Sequence, residues 1–221
     1  MPSKASMATR WTGPWKPAAM TASDLGSRPL AEPFTLLHVG GPTTVLRLGG
    51  LTIVTDPTFD EPGSYPLPGG RRLTKLTPPS VPAASLGPID VALVSHDQHP
   101  DNLDVSGRAL LADVPTVLST PEAAGRLEGV AGLAAWQQVS VPRPDGGELQ
   151  VVGVPARHGP QGCEPYTGTV IGFVLRGSGL PVLYVSGDNA DVAIVGQIVD
   201  RLGPVDVAVL QGDARLLADP A

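Results

Sequence analysis

Only four histidines occur in this chain of 221 residues, and His96 and His158 stand at the ends of apolar runs, beside Asp97 and Gly159. Two share one segment, SHDQHPDNLD at residues 95–104, where His96, His99 and Asp101 fall within six residues of one another. A single backbone turn can aim all three side chains at one point. Imidazole nitrogen and carboxylate oxygen are ligands that zinc, iron and manganese accept, so the segment is a candidate metal loop. His158 follows the run LQVVGVPA and precedes Gly159-Pro160, and Asp188 follows PVLYVS within SGDN. Both thus stand at the C-terminal ends of apolar runs, where sites collect in layered α/β proteins. Each residue also has a purely structural reading. The 95–104 segment could be a polar turn capping a helix that begins near Leu103, with Asp101 or Asn102 as the cap. His158 could be an ordinary loop residue and Asp188 an ordinary turn residue.

Other polar residues carry weaker signals. Asp56, in TDPTFD, either holds a ligand histidine by its second ring nitrogen or forms a turn before Pro57. His38 lies inside the run FTLLHV and is expected to be structural. The lone Cys163 excludes an intrachain disulfide and a cysteine-rich zinc ribbon, which leaves any metal to histidine and carboxylate. None of the glycine pairs forms a phosphate-cradling loop.

The elements that must position these side chains alternate along the chain. FTLLHV, TTVLRL and LTIVTD are short β-type runs punctuated by Gly40-Gly41-Pro42 and Gly49-Gly50, a β-meander. Pro57 to Pro88 is rich in proline and glycine and is expected to be a long irregular loop. DVALVS is a continuous apolar run of the kind buried on both faces of a sheet, and it leads directly into the candidate metal loop. A short helix over Leu103–Leu111 is expected next, followed by a strand PTVLS and a helix opened by Thr120-Pro121-Glu122. The runs LQVVGVPA, TVIGFVLR and PVLYVS, a helix around Ala190–Leu202 and a last strand VDVAVL complete an α/β pattern. Residues 1–32, rich in Pro, Ser, Ala and Thr, read as a loosely ordered arm before a domain over 33–221.

Composition narrows the function. With 42% hydrophobic and 16% charged residues, the chain reads as a soluble globular domain. Its net charge is −6 and its longest basic cluster is the pair Arg71-Arg72, so no nucleic-acid partner is expected. No apolar run approaches the ~18 residues of a membrane span, and the N-terminal stretch lacks a secretory core, which together predict a cytoplasmic protein without a membrane partner.

TDPTFD, then an apolar strand ending in SHDQHPDNLD, then PARHGP, then SGDN, in this order and spacing, resembles the metallo-β-lactamase superfamily, more narrowly its ascorbate-lactonase-like branch of metal-dependent hydrolases. The resemblance covers Phe34 to the C-terminus. It implies an αβ/βα sandwich of two mixed sheets flanked by helices. It also implies one or two zinc ions, with manganese or iron as alternatives, held by His96, His99, Asp101, His158 and Asp188. The implied activity is hydrolysis of a small ester, lactone or phosphodiester by metal-activated water, with Asp101 orienting that water or taking its proton. The sequence departs from the family pattern in three places. The first loop is one residue longer, so that Gln98 and His99 compete for one position and His99 is preferred. Asn102 stands where the family has a histidine, and no histidine follows Asp188. These departures favour a one-metal state. They also keep open a degenerate or C-terminally truncated member without turnover, in which an exposed sheet edge would favour dimerisation.

Overall fold

The computed structural model describes residues 34–66, 70 and 72–211. The arm expected over residues 1–32 lies outside the described residues. Two mixed sheets face each other. In the first, β1 (Thr35–Gly40), β2 (Thr43–Leu48) and β3 (Leu51–Thr55) form the expected antiparallel meander. The parallel strands β6 (Val91–Leu93), β7 (Thr116–Ser119) and β8 (Val130–Gly132) then extend it beyond β3. In the second, β9 (Gln138–Pro142), β10 (Glu148–Pro155), β11 (Ile171–Arg176) and β12 (Leu183–Val185) are antiparallel, and β13 (Val207–Val209) adds in parallel to β12.

Alternation along the strands divides their side chains between two environments. Leu46, Leu48, Ile53, Val91 and Leu93 of the first sheet meet Leu149, Val151, Phe173, Leu175 and Leu183 of the second in the central core. The opposite faces are covered by helices. Val45, Val54, Ala92 and Val94 pack with Leu103 and Leu111, at and just before α1 (Val105–Leu111). Val152, Val154, Val174 and Tyr184 pack with Ile194 and Ile198 of α4 (Val192–Leu202). This helix–sheet–sheet–helix layering is the αβ/βα sandwich expected from the sequence. No helix among the described residues is long and apolar enough to cross a membrane.

Local chemistry sets the helix boundaries. Asp104 caps α1 by accepting from the Gly107 N–H, Thr120 caps α2 (Pro121–Ala124) through Ala123, and Asp191 caps α4 through Ala193. The cap of α1 is therefore neither Asp101 nor Asn102. The segment expected to be one irregular loop also needs correcting, because it holds an antiparallel hairpin, β4 (Gly63–Pro66) with β5 (Arg72–Lys75), and a 3-10 turn at Ala83–Ser85. Half-exposed strands of four residues flanked by prolines leave little hydrophobic period to read. A further short helix, α3 (Glu164–Thr167), follows His158.

Two glycines with opposite surroundings test the packing. A Cβ on Gly107 would stand 1.8 Å from the Pro57 carbonyl oxygen, whereas one on Gly196, exposed on α4, meets nothing within 4 Å. Gly107→Ala should cost about 3 kcal/mol, since backbone must move. Gly196→Ala should gain about 0.5–1 kcal/mol by removing glycine from a helix interior. Urea unfolding reads both, and equal effects would contradict this packing.

Candidate metal centre

The loop after β6 carries His96 and His99, the segment after β10 carries His158, and the turn after β12 carries Asp188. The structure brings these four together, with one ligand atom from each lying within 4.8 Å of the others. His96 Nε2 is 3.1 Å from His99 Nδ1 and 3.8 Å from Asp188 Oδ2, and His158 Nε2 is 3.2 Å from Asp188 Oδ2. The three rings meet edge to face, with centroids 4.8, 5.2 and 5.7 Å apart. Asp101 is not among the four whose atoms converge. Its carboxylate reaches the group through charge, as one of the influences that raise Asp188.

The set fits a divalent ion. Ligand atoms around a tetrahedral ion with bonds of about 2.1 Å stand about 3.4 Å apart, close to the separations seen here. Three nitrogens and one carboxylate oxygen suit zinc, iron or manganese. Burial, with the neighbouring His99 and His158, pushes His96 down to about 3, so at neutral pH its ring is uncharged and keeps a lone pair for ligation. Ser95 Oγ lies 3.0 Å from His96 Nδ1, which leaves Nε2 toward the cluster.

Beneath the four candidate ligands lies a buried polar layer. Asn102 donates from Nδ2 to Asp188 Oδ1 at 3.0 Å and, at 3.4 Å each, to Asp56 Oδ2 and Ser95 Oγ, while its own Oδ1 has no partner. Asp56 accepts the Ser95 N–H at 2.6 Å. Its anchoring role thus runs to the backbone of the histidine loop and to Asn102. Asp56 also holds a left-handed backbone conformation, φ 37°, which is costly for a non-glycine residue. Its carbonyl oxygen accepts from Thr43 Oγ1 and its N–H donates to the Leu93 carbonyl oxygen, so the surroundings over-determine it. Desolvation pushes the Asp56 carboxyl up to about 7, and desolvation likewise raises Asp188.

The Asp56 shift has a measurable sign. A carboxyl whose pKa is raised on folding contributes stability below its unfolded value, near 3.8, and loses it as pH rises through about 7. Metal-free Asp56→Asn lacks that opposing slope. Relative to the parent, its stability should gain about 1.4 kcal/mol per pH unit as pH rises between about 4 and 7. Denaturation of both proteins across that range checks it, and parallel curves would contradict the burial of this charge.

The outer face of the histidine loop is also held. Asp97 accepts from Arg126 Nε at 3.0 Å and Nη2 at 2.5 Å, and its carbonyl oxygen accepts from Arg108 Nη2 at 2.6 Å. Burial alone would raise the Asp97 carboxyl, but the Arg126 fork outweighs it and holds the group below the usual range. Sequence reasoning missed Arg126 and the positive role of Asn102; Ser95, directly before His96, was the one local signal available. His38 stays apart, with Nε2 2.9 Å from the Gly41 carbonyl oxygen.

No curated protein sequence matches the chain. Among solved structures, an isothiocyanate hydrolase from Delia radicum gut bacteria is similar, with TM-score 0.61 and 19% identity over 80% of this chain and 70% of that one. A possible metal-dependent hydrolase from Veillonella parvula gives TM-score 0.61 and 16% identity over 76% of this chain and 68% of that one. CmlA, a diiron β-hydroxylase from Streptomyces venezuelae, gives TM-score 0.54 and 22% identity over 80% of this chain and 34% of that one. At these identities the likeness is one of fold. The sequence model of the beta-lactamase superfamily domain matches residues 52–217, from β3 through every ligand segment to beyond β13. By this match and the sandwich that carries it, the chain belongs to the metallo-β-lactamase superfamily.

Proposed function

We propose that this chain is a metal-dependent hydrolase of a small ester, lactone or phosphodiester, holding one ion with His96, His99, His158 and Asp188. The observation that carries the reading is the convergence of those four ligand atoms within 4.8 Å, three of them from neutral-capable imidazoles. When bound, a divalent ion supplies Lewis acidity and lowers the pKa of water to roughly 7. Everything else falls to the chain. Ser95 sets the ring orientation of His96, and Asn102 fixes one oxygen of Asp188 so that the other faces His158. Asp101, two residues beyond His99, accepts the proton that attack by water releases. Zinc is the first ion to try; manganese and iron take the same donors, and one protein of similar fold is a diiron enzyme.

The test is hydrolysis of a panel of esters, lactones and phosphodiesters by protein supplied with each ion in turn. An isothiocyanate belongs in the panel because a protein of similar fold hydrolyses one. Asp101→Asn should lower kcat about 100-fold with metal content unchanged; full activity in that variant would remove Asp101 from the chemistry. A binding protein without turnover is the second reading, favoured by the Asn102 amide lying between Asp56 and Asp188. Stoichiometric metal without hydrolysis of any substrate would support it.

A further inference from the structure

The loop over residues 95–104 supplies two of the four candidate ligands, and Asp97 lies between them. Both Asp97 carboxylate oxygens are taken by the Arg126 guanidinium, and its carbonyl oxygen by Arg108. The two arginines come from different segments. Arg108 lies on α1, and Arg126 follows α2, whose Pro121 Cα would stand 2.9 Å from a Cβ on Gly132 of β8. The Arg126 N–H donates to the Ala123 carbonyl oxygen, and Ala123 is buried, so the guanidinium is carried on an anchored turn. The Asp97 side chain is 4% exposed and that of Arg126 is 45% exposed. Removing the guanidinium would therefore strip both carboxylate oxygens of their donors beside an opening to water, with Arg108 left as the remaining counter-charge. With that clamp gone the loop can shift the carboxylate toward water, and His96 and His99, on either side of Asp97, would shift with it.

We propose that Arg126 is a positioning residue that acts through Asp97 to hold His96 and His99 at ligating separation, so that metal affinity depends on a side chain that touches no ligand. The inference rests on the metal-site reading above. Outer partners that orient metal ligands typically change affinity 10–100-fold when removed. The bidentate fork makes Arg126 specific, because lysine keeps the charge but cannot reproduce two parallel N–H···O bonds.

The experiment is Co²⁺ binding, followed by competition with a chelator and by the visible absorption of the ion, on the parent chain, Arg126→Ala, Arg126→Lys and Arg201→Ala. Arg201 stacks 4.4 Å over the Trp136 ring on the far end of α4, so its loss can lower stability without reaching the site. Arg126→Ala should weaken Co²⁺ binding about 10–100-fold and alter the absorption bands, Arg126→Lys should recover part of both, and Arg201→Ala should change neither. Unaltered affinity and absorption in Arg126→Ala would overturn the proposal while leaving the metal site standing. Should Arg126→Ala not fold, Arg126→Lys decides in the same way. A parent chain that takes up no Co²⁺ would overturn the site reading and this proposal with it.

Discussion

Asn102→Ala is expected to lower the unfolding free energy of the metal-free protein by about 3 kcal/mol, with little change in secondary structure. Asn102 is fully buried, and its Nδ2 serves Asp188, Asp56 and Ser95 at once. Each buried acceptor left without its donor costs about 1–3 kcal/mol, more when charged. The two carboxylates, whose charges already oppose each other, would then lose the donor they share. Partial protonation of Asp56, raised to about 7, softens the loss near neutral pH and sharpens it above. Denaturant unfolding at pH 7 and pH 8 measures both. A change under about 0.5 kcal/mol, the range of an ordinary surface substitution, would mean that the polar layer under the site contributes little.

His96→Ala is expected to weaken metal binding by more than about 100-fold, beyond what losing a merely orienting partner does. His96 is fully buried, and its Nε2 faces both His99 and Asp188. His38→Ala is the matched control, since that ring engages the Gly41 carbonyl oxygen away from the cluster. Calorimetric titration with zinc should separate the two by that factor. Equal affinities would take His96 out of the site.

Much of this arrangement is legible in the sequence because strand ends carry the candidate ligands. His96, His158 and Asp188 each follow an apolar run that the structure shows as a buried strand. Spacing and the family resemblance both make Asp101 a candidate ligand. The N–H groups of Asn102 and Leu103 return to the His99 carbonyl oxygen in a turn that buries Asn102, and Asp101 is not among the four residues whose ligand atoms converge. By motif position Asn102 replaces a family histidine, yet its amide gives the carboxylates the donor that burial requires. The Asp97–Arg126 pair spans 29 residues and belongs to no period or motif, so only the folded chain reveals it. The β4–β5 hairpin escaped because its pairing is largely a backbone matter, with exposed and half-buried positions alternating over prolines and polar residues.

The most direct test of the account is metal content by inductively coupled plasma mass spectrometry on protein purified without chelator, then supplied with zinc, manganese or iron, alongside His158→Ala. One ion per chain is expected in the parent and its loss in the variant. A parent chain that stays metal-free after every ion has been offered would contradict it.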